Sequence, residues 1–152
     1  MKKQRWTLGA IIKIPLTLSK HSYGQLLDKN SVAIFNINTD KDYALENILN
    51  TESLFIVAVY NRVITSGRWP KTFKADLRKE FRILPLKFIQ DPVDTDNYEL
   101  YDPNTGEIRK SDKKSCLGLE CSAVWEADHV ESRIIDHFAG RQNIWLQQLR
   151  LK

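Results

Sequence analysis

Long apolar runs are missing from this sequence. The longest uncharged one, SLFIVAVY from Ser53 to Tyr60, is far short of the roughly 20 residues a membrane-spanning helix needs, so no membrane span is expected. Cysteine is scarce as well. Cys116 and Cys121 are the only two, too few to staple a secreted fold and compatible with free thiols in a reducing compartment. There is no Asn-x-Ser/Thr glycosylation acceptor. The positive start MKKQRW is followed by TLGAIIKIPL, where Lys13 and Pro15 interrupt any signal-peptide core and no small-residue cleavage site follows. A cytoplasmic protein is the expectation.

Catalytic signatures are absent too. The three histidines, His21, His129 and His137, are scattered, and the cysteine spacing does not match paired zinc ligands, so no metal site is expected. His129 and His137 lie eight residues apart, roughly 80° around a helix, so they could share a side. Ser66 in TSGRW has an adjacent glycine but no Gly-x-Ser-x-Gly elbow, which reads as a turn serine. No Gly-rich phosphate loop occurs, and DTDNYE lacks the central glycine and terminal glutamate of a calcium loop. These absences name no catalytic, cofactor-binding or metal-ligating residue.

What is present is the material of one globular α+β domain spanning 1–152. The chain is 42% hydrophobic and 28% charged, an ordinary globular balance, and a chain of this size buries roughly 68–70% of its unfolded surface in one core. In GAIIKIPLTL, Ala10, Ile12, Ile14, Leu16 and Leu18 alternate with Ile11, Lys13, Pro15 and Thr17, the pattern of a half-buried strand that Pro15 places at an edge or a bend. SYGQLL and VAIFNI follow as strands joined by the turn DKNS. TDKDYALENILN opens with Thr39-x-x-Asp42, a capping-box pattern, and predicts a short amphipathic helix. LFIVAVY reads as a central strand covered on both faces. TFKADLRKEFRILP places Phe73, Leu77 and Phe81 on one stripe and Lys74, Arg78 and Arg82 on another, which predicts a helix with an apolar and a basic face, ended by Pro85. KFIQ, YELY and EIRK read as strands, the last two flanking the turn DPNTG. LECSAVW is strand-like. DHVESRIIDHFAG predicts a helix started by Asp128 and Glu131, burying Val130, Ile134 and Phe138, and stopped by Gly140. NIWLQQLRL suits a last short helix docking Trp145 and Leu149. The sheet is expected to be antiparallel and strongly curved, partly barrel-like.

The charge is segregated. Net charge is +4, and Arg62 to Lys87 holds eight bases against two acids. Immediately afterwards, DPVDTDNYELYDPNTGE, Asp91 to Glu107, holds six acidic residues and no Lys or Arg. Adjacent blocks of opposite sign make a surface with two electrostatic faces. Lys71, Lys74, Arg78, Lys79 and Arg82 could track nucleic-acid phosphates with Trp69 as a stacking surface, an alternative reading that the acidic neighbour opposes. The order SGRWP allows Trp69 to be either core or contact.

Taken in order, RWTLGAIIKIPL, YGQLL, AIFNI, ITSGRW, KFIQDP and AVWEADHVESRIIDHFAG resemble the immunity protein 26 family of bacterial polymorphic toxin systems, over nearly the whole chain. The resemblance implies a non-enzymatic, cytoplasmic antidote that binds the effector domain of a cognate toxin and blocks it. Some relatives carry a phosphotriesterase label, but three scattered histidines do not supply the ligand cluster of a metal-dependent hydrolase.

Many toxin effectors are nucleases with basic clefts, and carboxylates presented to such a cleft both occupy it and accelerate association. The acidic segment is therefore the candidate partner-binding surface: Asp94, Asp96, Glu99 and Asp102, with Tyr98 and Tyr101 as aromatic anchors. An ordinary solvated hairpin is the alternative for the same residues.

Overall fold

The computed structural model describes residues 1–152 and is an α+β structure of two open sheets and short helices. The larger sheet has the order β10-β4-β3-β2-β1-β5, built from β1 (Ile11–Pro15), β2 (His21–Leu26), β3 (Ser31–Phe35), β4 (Ser53–Val59), β5 (Lys71–Phe73) and β10 (Val124–Trp125). The smaller has the order β8-β7-β6-β9, from β6 (Lys87–Gln90), β7 (Tyr98–Tyr101), β8 (Ile108–Ser111) and β9 (Glu120–Cys121). Pairing is antiparallel except at β10 with β4 and β6 with β9. Neither sheet closes on itself, so the barrel-like part of the expectation gives way to two open sheets.

Alternation places the larger sheet between two apolar layers. Ile12, Ile14, Val32, Ile34, Val57 and Val59 point to one face, where Val130 and Ile134 of α4 (Ala127–Ala139) cover them. Ile11, Tyr23, Ala33 and Phe35 point to the other, against Ile48 of α1 (Leu45–Leu49) and Phe81. The period-two pattern of β1 thus holds, but both faces are covered and Ile11 is fully buried. Each such burial stabilises by roughly 1.5–3 kcal/mol before entropy is charged. β1 is interior rather than an edge. Pro15 is tolerated because β5 pairs only with Ile11 and Ile12, leaving Pro15 with β2 as its sole neighbour. Leu18 does not continue the strand; it sits in the following turn with φ 53° and its side chain in solvent.

The turn DKNS closes β2 onto β3 with Lys29 and Asn30 both left-handed, at φ 54°, as a tight hairpin requires. The predicted helix at 73–84 does not form. β5 takes Phe73, and only Lys79–Phe81 coil, as a 3-10 turn. Phe73, Ala75, Leu77 and Phe81 all still reach the second apolar layer, but as an irregular strap crossing it. The strap is fixed by Gln25, whose Nε2 donates to the carbonyls of Gly9 and Asp76 at 2.9 Å. The Thr39-x-x-Asp42 box is also not used: α1 starts at Leu45 without a side-chain cap, and Asp42 pairs with Lys13 at 2.9 Å. LECSAVW divides into β9 and β10, one in each sheet. Within α4, Phe138 is exposed rather than buried, and Gly140 ends the helix in the left-handed conformation, φ 70°. A fourth short helix, α5 (Ile144–Gln148), docks Trp145 and Leu149 on the first core layer and is capped by Asn143, whose Oδ1 accepts from Leu146 N. The two remaining single-turn helices are α2 (Arg62–Thr65) and α3 (Lys113–Cys116).

Candidate functional site

The acidic segment runs along β7 and the two connections that flank it. Asp91 organises the first connection: its carboxylate accepts from the backbone N–H of Val93 (2.8 Å) and Asp94 (3.0 Å). Those bonds, Asp94 first, hold its carboxyl below the usual aspartate range. The resulting loop presents Asp94 and Asp96 to solvent, with Val93 at its tip 92% exposed. At the other end of β7, Asp102 accepts from Asn104 N (2.9 Å) and Asn104 Nδ2 (2.8 Å), which likewise lowers its pKa. Gly106 completes this turn at φ 81°. Asn104 also ties the turn to the strap, since its Oδ1 accepts from Leu84 N and its Nδ2 donates to Leu84 O, both at 2.9 Å.

Between the two acidic ends, strand alternation separates the remaining residues. Tyr98 and Leu100 turn inward to pack with Phe88 and Cys116. Glu99 and Tyr101 take the opposite, partly open face. Glu99 stands across from Lys110 of β8, and Arg109 and Lys110 are exposed, so the second strand of the hairpin is basic where the first is acidic. Asp94, Asp96, Glu99 and Tyr101 therefore remain accessible, Asp102 marks the corner, and Tyr98 is a core residue.

The basic segment forms no helical stripe: Lys74, Lys79 and Arg82 are exposed on the irregular strap, and Arg68, Lys71 and Arg78 turn to partners. Arg68 pairs with Glu131 of α4, Lys71 Nζ donates to Thr7 Oγ1, and Arg78 lies over Phe35 and Phe81 while donating to Thr51 O. Trp69 is fully buried and its Nε1–H donates to Glu131 Oε2 at 2.8 Å, so it is core. Glu131 thus receives Arg68 and Trp69 together and takes no part in capping α4.

His129 stacks on Trp145 at 3.6 Å between ring centroids, and His137 meets Phe138 edge-on. No three His, Cys, Asp or Glu side chains gather as a metal-ligand set, and both cysteines are free, their thiol pKa values raised first by burial.

Two groups escaped the sequence reading. Arg133 of α4, buried over the ring of Phe55 at 3.6 Å, donates from Nη1 and Nη2 to the two carboxylate oxygens of Glu120 at 2.8 Å each. This joins the helix covering the larger sheet to β9 of the smaller. Lys87, at the start of β6, is 5% exposed and lines a cleft of about 410 Å³ between the sheets, together with Tyr60, Tyr101 and Ser122. A lysine framed by Leu86 and Phe88 in a strand was the available signal, but nothing local showed which face it takes. No helix is long and apolar enough to cross a membrane.

The family model described as Immunity protein 26 matches residues 7–99. The match takes in the larger sheet from β1 to β5, β6 and the first half of β7; Asp94, Asp96, Tyr98 and Glu99 lie inside it, Tyr101, Asp102 and AVWEADHVESRIIDHFAG beyond it. No curated protein and no solved structure matches the chain.

Proposed function

The chain belongs to the immunity protein 26 family, and we propose that it binds the effector domain of a cognate bacterial polymorphic toxin in the cytoplasm and blocks it without catalysis. The family match carries this reading. A catalytic alternative finds no support in a chain whose histidines engage aromatic rings or, for His21, the hydroxyl of Tyr23. The nucleic-acid alternative loses the helical stripe it rested on: Lys71 and Arg78 turn to intramolecular partners, and Lys74, Lys79 and Arg82 stay exposed on an irregular strap, with Trp69 buried and unable to stack on a base.

The proposed contact surface is the outer part of the acidic segment: Asp94 and Asp96 around the exposed Val93, with Glu99, Tyr101 and Asp102 along and beyond β7. Two observations support it. The loop is preorganised by Asp91, which lowers the ordering cost of association. It combines carboxylates with an exposed apolar tip. It would complement a basic, phosphate-binding effector such as a nuclease.

The test is co-expression of the C-terminal domain of the toxin encoded beside this chain, with and without it, in bacteria. Survival that depends on this chain, with co-purification of the two proteins, is the expected result. Killing that continues regardless, or a harmless neighbour, would overturn the reading.

A further inference from the structure

The cleft between the two sheets is lined by a largely buried lysine whose ammonium has no partner within the chain and keeps contact with solvent. Lys87 stands in register with Tyr101 on one side and Glu120 on the other. Glu120 is the carboxylate that acts on it, yet both Glu120 oxygens are hydrogen-bonded by the Arg133 guanidinium. Arg133 and Glu120 cancel, leaving one uncompensated positive charge. The Lys87 ammonium makes no hydrogen bond and no ion pair within the chain, although the residue is 95% removed from solvent. Burial accordingly lowers its pKa, against the raising influence of Glu120.

The rest of the lining fits an anion. Tyr60, Asn61, Tyr101 and Ser122 offer neutral donors, Lys29 adds a peripheral cation, and no Asp or Glu lines the cleft. Its volume, about 410 Å³, is that of a small-ligand site. A lysine whose stem is buried and whose ammonium is only partly solvated is incompletely compensated, and an incoming anion would supply the missing counter-charge.

We propose that this cleft is a carboxylate-binding site in which the Lys87 ammonium is the counter-charge and Tyr101 an adjacent wall. The charge count selects the class. One partly desolvated, uncompensated cation matches a monoanion, whereas a phosphate dianion is ordinarily held by several cations or a nest of backbone N–H groups. The site goes beyond toxin neutralisation, since a carboxylate would bind there whether or not the chain is an inhibitor. Tyr101 and Pro103 line the cleft and also belong to the acidic segment, so an acidic side chain of a docked partner and a free small carboxylate are the two possible sources.

The experiment follows the side-chain signals of Lys87 by NMR in the full chain labelled at lysine, titrated with acetate against chloride at constant ionic strength. Phosphate is titrated separately. Saturable movement of the Lys87 signal with acetate, weaker with phosphate, is the expected result. In Lys87→Gln that signal is lost, and no other lysine should respond saturably. Linear drift shared by all lysines would overturn the site, and tighter binding of phosphate than acetate would overturn the class. Because the decisive signal comes from the unaltered chain, a misfolded variant does not blunt the test. Repeating the acetate titration with the effector domain bound separates the sources. A blocked response places the partner's carboxylate in the cleft, and an unchanged one leaves it to a free small acid.

Discussion

Arg133 holds Glu120 through two parallel hydrogen bonds of 2.8 Å, reaching from the helix over the larger sheet to the edge of the smaller one. The pair is shielded, with side-chain exposures of 9% and 26%, and the guanidinium is stacked on Phe55. Removing one partner strands the other. Arg133→Met should therefore destabilise the protein by roughly 3 kcal/mol, while Glu120→Gln combined with Arg133→Met should lose less than the sum of the single changes. Urea unfolding of the four proteins measures both; strict additivity would show that the bidentate contact carries no coupling.

Gly67 ends the turn before Trp69 with φ 85°, and a Cβ there would lie 2.1 Å from the Lys2 carbonyl oxygen. Gly118 has a similar φ of 79° with open space around it. Gly67→Ala should cost roughly 1–3 kcal/mol and loosen the N-terminal segment. Gly118→Ala should cost only the backbone penalty, about 1 kcal/mol. Thermal unfolding of both tests this; equal losses would mean that the N-terminal segment yields freely.

His21 is buried beside the hydroxyl of Tyr23, at 3.1 Å. Its pKa is lowered first by burial and then by Lys13, with Asp42, the backbone of Lys41, and Asp40 opposing. Because the folded value lies below the unfolded one, the unfolded chain binds more protons as pH falls through the unfolded pKa. Stability should then drop as pH falls through the unfolded value of about 6.5 and level off once the folded His21 is also charged. Denaturant midpoints across this range, compared with His21→Gln, check it. The variant should lose this part of the pH dependence.

Asp94 and Asp96 are exposed and their carboxylates make no contact that holds the loop together, a role that falls to Asp91. Reversing both to Lys should slow association with the effector domain by roughly tenfold or more at low salt, and progressively less as salt rises. Adding Asp102→Lys also removes the Asn104 turn contacts, so its thermal stability is measured alongside. Stopped-flow association that is unaffected by the double reversal would rule this surface out as the toxin-facing one.

Local chemistry made much of the fold legible. The alternation of Ile12 and Ile14, the DKNS turn, the DPNTG hairpin and the Gly140 stop each depend on neighbours within a few residues, and each appears in the structure. The failures share a physical cause. Phe73, Leu77 and Phe81 have helical spacing, yet the same burial is achieved by a strap tied down by Gln25 from another strand. Arg78 looked like part of a solvated basic face, but long-range packing against Phe35 took it inward.

The sequence by itself determined the α+β class, most of the strand and turn positions, the concentration of carboxylates between Asp91 and Glu107, and the family resemblance, because all of these are properties of short stretches or of their order. Tertiary structure alone decided that Tyr98 faces the core while Tyr101 faces the cleft, that Trp69 is buried on Glu131, and that Arg133 neutralises Glu120 and leaves Lys87 unpaired. Those outcomes turn on which groups compete for a partner in space, and the separation between Glu120 and Lys87 along the chain carries no record of that competition.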